Sequence, residues 1–402
     1  MSDLASLRVA LVHDWLTGMR GGERVLEVLC QIFPQADLYT LVVVPERLSP
    51  ALRRMRIVPS LLQNLPGGVK SYRHYLPLMP WLIRRFRLYD YDLVVSSSHA
   101  VAKGVRVKPF VPHVCFLHAP MRYMWDGFDD YFGPGRASLP VRLAATVLRP
   151  WLQRWDRRSA AGVHRFVVNS ANIQAQAKRF YGRNAEVVYA PVSLERFAPV
   201  SLERFAPVAP GHAAPGEGPG EYYLMVGAFA PNKRVPTAVA AFTRMGKPLR
   251  IAGGGPEEAR CRAMAGPSVE FLGERSDEEI AALYAGARAF VFPGVEDFGI
   301  TPLEAQASGV PVIALAAGGA LETVTPETGL LYAPKPGQSD VDALIEAVRD
   351  FEARPERFTP AACVANARRF GREVFKARLL AVLEETLAAY RQGGIGSLAK
   401  WR

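Results

Sequence analysis

Glu296-Asp297-Phe298-Gly299-Ile300-Thr301-Pro302-Leu303-Glu304 decides how this chain is read. Carboxylates stand at both ends, with a glycine and a Thr-Pro pair between them. The stretch follows an apolar run, residues 287–293, that reads as a buried strand. Strand, loop and helix start are therefore consecutive. Ligands of α/β proteins gather there, beyond the carboxyl ends of the strands. Free N–H groups and the dipole at a helix N-terminus favour a phosphate, while carboxylates accept hydrogen bonds from sugar hydroxyls. Together these suit a nucleotide-sugar. Thr301, Pro302 and Glu304 also fit a capping box, with Thr301 as N-cap, Pro302 at N1 and Glu304 at N3. Glu304 thus has a structural reading beside the functional one.

On either side, short apolar strands alternate with helices. In the first half, strands are expected at 8–13, 92–96, 113–117, 165–169 and 186–189, with helices at 23–33 and 139–159. A Pro/Gly-rich stretch over 206–220 interrupts the pattern. It then restarts, with strands at 222–226, 249–252, 269–272, 289–292 and 312–314. Helices are expected near 235–244, 256–264, 277–286, 302–308 and 340–352, then an amphipathic one over 372–390. Ser276 and Glu279 form a capping box for one of them. The fold class is α/β, with two doubly wound Rossmann-like domains facing across a cleft. Expected boundaries are 1–208 for an acceptor-binding domain, 209–220 for the linker, 221–371 for a nucleotide-sugar-binding domain, and 372–402 for a C-terminal helix packing back across the cleft, with its tail. Residues 192–199 repeat as 200–207, a local duplication to which no function is given.

The net charge of +11 lies entirely in the first half. Residues 1–216 hold 28 Lys and Arg against 15 Asp and Glu, and residues 217–402 hold 21 against 23. Between Glu46 and Asp90 there is no acid, while Arg84, Arg85 and Arg87 cluster near Trp81 among apolar residues. Such a mixture suits an anionic membrane surface. A solvated basic face and nucleic-acid binding are the alternatives, and no nucleic-acid motif accompanies the charge. The four cysteines (Cys30, Cys115, Cys261, Cys363) show no metal-ligand spacing and suggest a reducing compartment. With no signal-peptide pattern and no run long enough to span a bilayer, a cytoplasmic protein at the inner face of the plasma membrane is expected.

Four further segments carry chemistry. His13-Asp14-Trp15 ends the first strand and leads to Gly21-Gly22-Glu23, where backbone can approach a ligand at a helix start. Phe116-Leu117-His118-Ala119-Pro120-Met121-Arg122 places His118 just beyond a buried strand, where a structural histidine is the other reading. In Val226-Gly227 through Lys233-Arg234, two cations follow a strand-end glycine and could neutralise a diphosphate; a basic surface loop is the alternative. Gly253-Gly254-Gly255-Pro256 lacks the spacing of a dinucleotide fingerprint.

In this order and at these separations, the segments resemble the retaining glycosyltransferases of the GT-B fold. The likeness is to family 4 (glycosyl transferases group 1), in the branch of bacterial O-antigen and exopolysaccharide mannosyltransferases. It covers nearly the whole chain and includes Ser97-Ser98-His99 and Ala317-Gly318-Gly319. The resemblance implies that Gly21 and Gly22 lie against the donor phosphate and that His118 meets the donor sugar. Lys233 would bind the diphosphate with Arg234 beside it, and Glu296 the sugar hydroxyls. Gly299, Ile300 and Thr301 would offer N–H groups to the phosphates. Glu304 would hold the ribose, and Gly273 to Arg275 would lie near the base. Many members carry Arg where this chain has Ala228, which leaves the diphosphate to Lys233, Arg234 and the helix N-terminus.

The implied reaction moves mannose from GDP-mannose to a polyprenyl-diphosphate-linked saccharide, with retention, no cofactor and no DxD-type metal motif. A UDP-, dTDP- or ADP-sugar donor and a catalytically idle nucleotide-sugar-binding subunit are the other readings.

Overall fold

In the computed structural model, residue 4, residues 6–194 and residues 220–402 are described. Most of the Pro/Gly-rich linker and most of the duplicated octapeptide lie outside the described residues. The chain divides into two units, Met1–Ala190 with Phe375–Arg402, and Pro191–Val374.

The first unit holds a parallel sheet of β1 (Val9–His13), β2 (Asp37–Thr40), β3 (Arg56–Pro59), β4 (Leu93–Ser98), β5 (His113–Leu117), β6 (Arg165–Val168) and β7 (Ala185–Val187). Their order is β3-β2-β1-β4-β5-β6-β7. Every residue of β1, β4, β5 and β6 is buried, as befits a parallel sheet covered on both faces. Strands β2 and β3 were not anticipated. Their residues alternate in burial or stand at the edge, so no continuous apolar run marks them. Helices of this unit include α1 (Gly21–Ile32) and α2 (Leu139–Ala160).

The second unit holds β8 (Tyr222–Val226), β9 (Leu249–Ala252), β10 (Val269–Gly273), β11 (Ala287–Phe292), β12 (Val312–Leu315) and β13 (Gly329–Tyr332), in the order β10-β9-β8-β11-β12-β13. Here α3 (Val235–Met245) follows β8, α4 (Asp277–Gly286) precedes β11 and α5 (Ile300–Ala307) follows it. Ser276 caps α4, and Glu279 returns to the Ser276 N–H at 2.7 Å. In each sheet the order reverses at one place, between β1 and β4 and between β8 and β11. Those are the switch points at which such sheets bind ligands.

The last helix, α6 (Arg372–Gly393), contributes residues 375–393 to the first unit. Phe375 stacks edge-on to Phe116 at 5.6 Å. Arg165 of β6 donates to the Val382 carbonyl at 3.1 Å, to Thr386 Oγ1 at 3.0 Å and to Glu385 at 2.6 Å. These partners serve the two terminal guanidinium nitrogens, as burial demands, while Nε is buried without a partner among the described residues.

Candidate functional site

At the first switch point, three adjacent strands end in polar residues. His13 closes β1, Ser97 and His99 lie at the end of β4, and His118 follows β5, its N–H bonded to the Ser98 carbonyl at 2.9 Å. Ser97 Oγ lies 3.0 Å from His13 Nδ1 and 2.8 Å from His118 Nε2. The three imidazole centroids stand 5.9–6.4 Å apart. Gly22, in the first turn of α1, lies against this group: a Cβ there would sit 3.6 Å from His118 Nε2 and from His13 Cε1. Gly21 is the first residue of the same helix.

Burial pushes the pKa of all three histidines down, and for His118 the neighbouring imidazoles push further. The cluster is therefore neutral near pH 7, able to donate and accept hydrogen bonds. His13 Nε2 is buried without a partner among the described residues.

Beneath the cluster, the fully buried Asp14 takes the N–H groups of His99, Ala100, Val101 and Ala102 at 2.6–3.0 Å, and His99 Nδ1 lies 3.2 Å from it. The next residue, Lys103, forms a buried ion pair with Asp156 of α2. Asp156 also accepts from Trp125 Nε1 at 2.8 Å and Tyr181 at 2.7 Å. The loop carrying His99 is thus fixed at both ends.

At the second switch point, Lys233 follows β8, Glu296 follows β11, and their side chains form an ion pair. Both are partly buried, at 18% and 20% exposure. Backbone bonds hold the two loops: Val295 N–H to the Asn232 carbonyl at 2.9 Å, and Gly319 N–H to the Glu296 carbonyl at 2.8 Å.

Helix α5 begins at Ile300, with Gly299 as N-cap in the left-handed region (φ 86°). The capping box expected at Thr301 is therefore absent: the glycine turns the chain into the helix earlier, and Pro302 falls inside the first turn, where its missing N–H costs nothing. Glu304 instead accepts from Tyr284 OH at 3.2 Å. No side chain caps the helix, and Thr301 Oγ1 is buried without a partner among the described residues. Orphaned donors at a helix start are what an anionic ligand would fill.

Other expected residues lie apart. Arg234, the one non-glycine residue with positive φ among those described (51°), pairs with Asp340 at 2.9 Å. Arg275 is at the surface, 3.7 Å from Glu279, after Gly273. Arg84, Arg85 and Arg87 are exposed, and Arg85 lies over the Trp81 ring at 4.9 Å. Trp81 is 54% exposed, but the neighbouring Met79, Leu82, Ile83 and Phe86 belong to the core. The apolar component of that surface is therefore narrower than the sequence suggests.

His13, Ser97 and His99 stand in the quoted segments without an assigned role. The available signal was positional: each sits at the end of a strand bordering the switch point. Among the described residues, no group of three or more His, Cys, Asp or Glu could hold a metal ion. No helix among them is long and apolar enough to cross a membrane.

Two family models match the chain: Glycosyltransferase Family 4 over residues 19–196, and Glycosyl transferases group 1 over residues 213–370. One curated relative is a GDP-mannose-dependent monoacylated alpha-(1-6)-phosphatidylinositol monomannoside mannosyltransferase of Corynebacterium glutamicum. It is 40% identical over 136 residues, which are 31% of this chain and 34% of the relative. Another is a GDP-mannose-dependent alpha-mannosyltransferase of Mycolicibacterium smegmatis, 39% identical over 143 residues, 34% of this chain and 36% of that one. The matches thus span about a third of these relatives' length. Among solved structures, sucrose-phosphate synthase from Thermosynechococcus elongatus superposes with a TM-score of 0.68 at 20% identity, over 95% of this chain and 100% of that one. Anabaena HepE in complex with UDP gives 0.65 at 16%, over 94% and 100%. These likenesses establish the fold as GT-B.

Proposed function

Because this chain belongs to the GT-B glycosyltransferases of family 4 and group 1, we propose that it is a retaining mannosyltransferase. It would transfer mannose from GDP-mannose to a lipid-linked saccharide of a cell-surface polysaccharide, at the cytoplasmic face of the membrane. The observation that carries this reading is the Lys233–Glu296 pair at the β8/β11 switch point, beside the open N-terminus of α5. The GDP-mannose dependence named for the relatives supports the choice of donor.

In this reading the departing nucleoside diphosphate is the chemical problem. Charge develops on its β-phosphate as the glycosidic bond breaks. Lys233 and the N–H groups of Gly299, Ile300 and Thr301 stabilise it, being fixed before the reaction begins. Arg234 supports the clamp once it leaves Asp340. Glu296 orients the sugar through its hydroxyls and Glu304 the ribose, while Arg275 lies near the base. Neutral His118 meets the donor sugar, and Gly21 and Gly22 let backbone approach the phosphate. The leaving phosphate accepts the proton of the attacking hydroxyl, so no nucleophile from the enzyme is required. Trp81, Arg84, Arg85 and Arg87 bring the enzyme to the anionic membrane holding the acceptor.

A thermal-shift series with GDP, UDP, dTDP and ADP tests the donor. A nucleotide at about a hundred times its Kd stabilises by about 2.7 kcal/mol. A shift with GDP alone is expected. A shift with another nucleotide instead would keep the chemistry and remove GDP-mannose; none with any would favour the idle subunit.

A further inference from the structure

A cavity of about 560 Å³ opens by the amino ends of β5 and β6, at the opposite end of these strands from His118. Its walls come from the segments leading into β5 and β6, from Arg84, from the last turns of α2 and from Arg402. Arg84, Arg106, Lys108, Arg154 and Arg158 line it, with Trp151 and Trp155, and no Asp or Glu does so. Like charges gathered around one cavity repel one another, an arrangement that an anion relieves. Burial first, then Arg402, which lines the cavity, and Arg183, which does not, push the pKa of the cavity's His164 down to about 4.

The helix leading to the cavity is unusual. In α2 the buried residues are Ala145, Leu152, Asp156 and Ala160. Yet Leu139 (63% exposed), Leu143 (59%), Val147 (78%) and Trp151 (44%) recur every fourth residue on a face turned to solvent. At helical spacing that face continues into Arg154 and Arg158. An apolar stripe therefore runs directly into a basic cavity. That is the order of chemistries in a phospholipid, acyl chain and then phosphate.

We propose that this cavity receives the phosphate of an anionic phospholipid headgroup, with the Leu143–Val147–Trp151 stripe lying in the membrane interface. The proposal rests on the membrane-docking part of the proposed function but places the phosphate in the cavity, which Arg84 shares with α2, rather than on Trp81, Arg85 and Arg87.

The full chain is sedimented with vesicles of phosphatidylcholine alone, or of equal parts phosphatidylcholine and phosphatidylglycerol. Wild type should pellet with the anionic vesicles. Arg154→Glu/Arg158→Glu should lower partitioning at least about tenfold, and Val147→Asp should lower it without touching the cationic residues. The charge-matched Arg53→Glu/Arg54→Glu should change it far less. Arg154→Gln/Arg158→Gln repeats the test with a gentler change, and each variant's melting temperature is checked first. Equal losses in the two Glu doubles would reduce the effect to general charge and overturn the cavity. Loss in Arg85→Glu/Arg87→Glu alone would overturn it while leaving the other docking face standing. If wild type ignores vesicles but binds soluble glycerol 3-phosphate through Arg154 and Arg158, a free phosphate ester replaces the lipid. Displacement by duplex DNA with no vesicle binding would assign the cavity to nucleic acid. No binding to any probe would remove both the cavity and the docking reading, and the nucleotide series would still stand as a separate test of the transferase.

Discussion

Lys233 and Glu296 are 63 residues apart in sequence and joined by an ion pair across the β8/β11 switch point. Without ligand the lysine's charge is neutralised by the group assigned to the sugar. In the proposed function a diphosphate draws Lys233 from Glu296, which frees the carboxylate for the sugar hydroxyls. The two single substitutions then have opposite effects on binding. Lys233→Ala should weaken GDP affinity, by calorimetry, at least about tenfold (~1.4 kcal/mol, the low end for a charge-assisted bond). Glu296→Ala removes the ion pair that competes with the diphosphate for Lys233 and should hold or raise that affinity. It should still lower turnover at least about a hundredfold, roughly 2.7 kcal/mol of lost transition-state stabilisation. Near-wild-type turnover would remove the role given to Glu296, and unchanged affinity in Lys233→Ala would remove the clamp.

The loop bearing Glu296 is packed on two glycines at which a side chain would strike backbone. A Cβ on Gly319 would lie 2.1 Å from the Phe298 carbonyl oxygen, and one on Gly318 (φ 58°) would lie 2.3 Å from the Glu296 carbonyl oxygen. Both obstacles are backbone, so the loop itself must move. Gly318→Ala and Gly319→Ala should each cost about 1–3 kcal/mol in urea denaturation and lower turnover by displacing Glu296. Gly182→Ala is the control. Its position (φ 68°) shares the left-handed requirement of Gly318 but has open space around the added carbon, so it should cost about 1–2 kcal/mol and, unlike the other two, leave activity intact. Wild-type activity in Gly319→Ala would mean that Glu296 does not depend on this contact.

How far the site could be read from sequence follows from its chemistry. Buried parallel strands are apolar runs, and β1, β5, β8 and β9 stand within a residue of where those runs place them. That Lys233 and Glu296 stand beyond strand ends was readable for the same reason. The strand order that brings them together is carried by no local pattern. Thr301, Pro302 and Glu304 satisfy a capping pattern that the positive φ of Gly299 overrides. Asp14, Lys103 and Asp156 were illegible for another reason. A buried charge looks in sequence like any surface charge, and only tertiary contact supplies the four N–H donors or the counter-ion that permit its burial.

Two buried histidines should make the fold sensitive to mild acid. His164 Nδ1 accepts the His113 N–H at 3.0 Å, so His164 must be unprotonated there. His113 is held to about 3 by burial, then by His164, and His164 to about 4. Unfolded, both titrate near 6.5. Below that pH the unfolded chain binds protons that the folded chain refuses, so stability is full above about 6.5 and falls as the pH drops toward 4. Each histidine removes up to about 1.4 kcal/mol per pH unit in that window. Urea midpoints at pH 7, 6 and 5 should decline, and His164→Gln should flatten the decline. A level profile from pH 7 to 5 would contradict the neutral, accepting state of His164.

Asp14 offers a direct measure of how the histidine cluster is held. Its carboxylate spreads over four consecutive N–H groups, two to each oxygen, and the His99 ring. Burial alone would raise its pKa, yet His99, His13 and the N–H groups of His99 and Ala102 hold it below the ordinary value. The carboxylate is therefore ionised throughout the neutral range. Asp14→Asn keeps the size but turns one acceptor into an NH₂ group facing two N–H donors. Charge-assisted bonds of about 1.5–3 kcal/mol each are lost at that oxygen. The variant should be destabilised by at least about 3 kcal/mol, and the 99–102 loop should lose protection from hydrogen exchange. Because that loop carries His99 beside His118, turnover should fall further than the loss of folded protein explains. If Asp14→Asn keeps both its protection and its turnover, the loop is held by the Lys103–Asp156 pair alone.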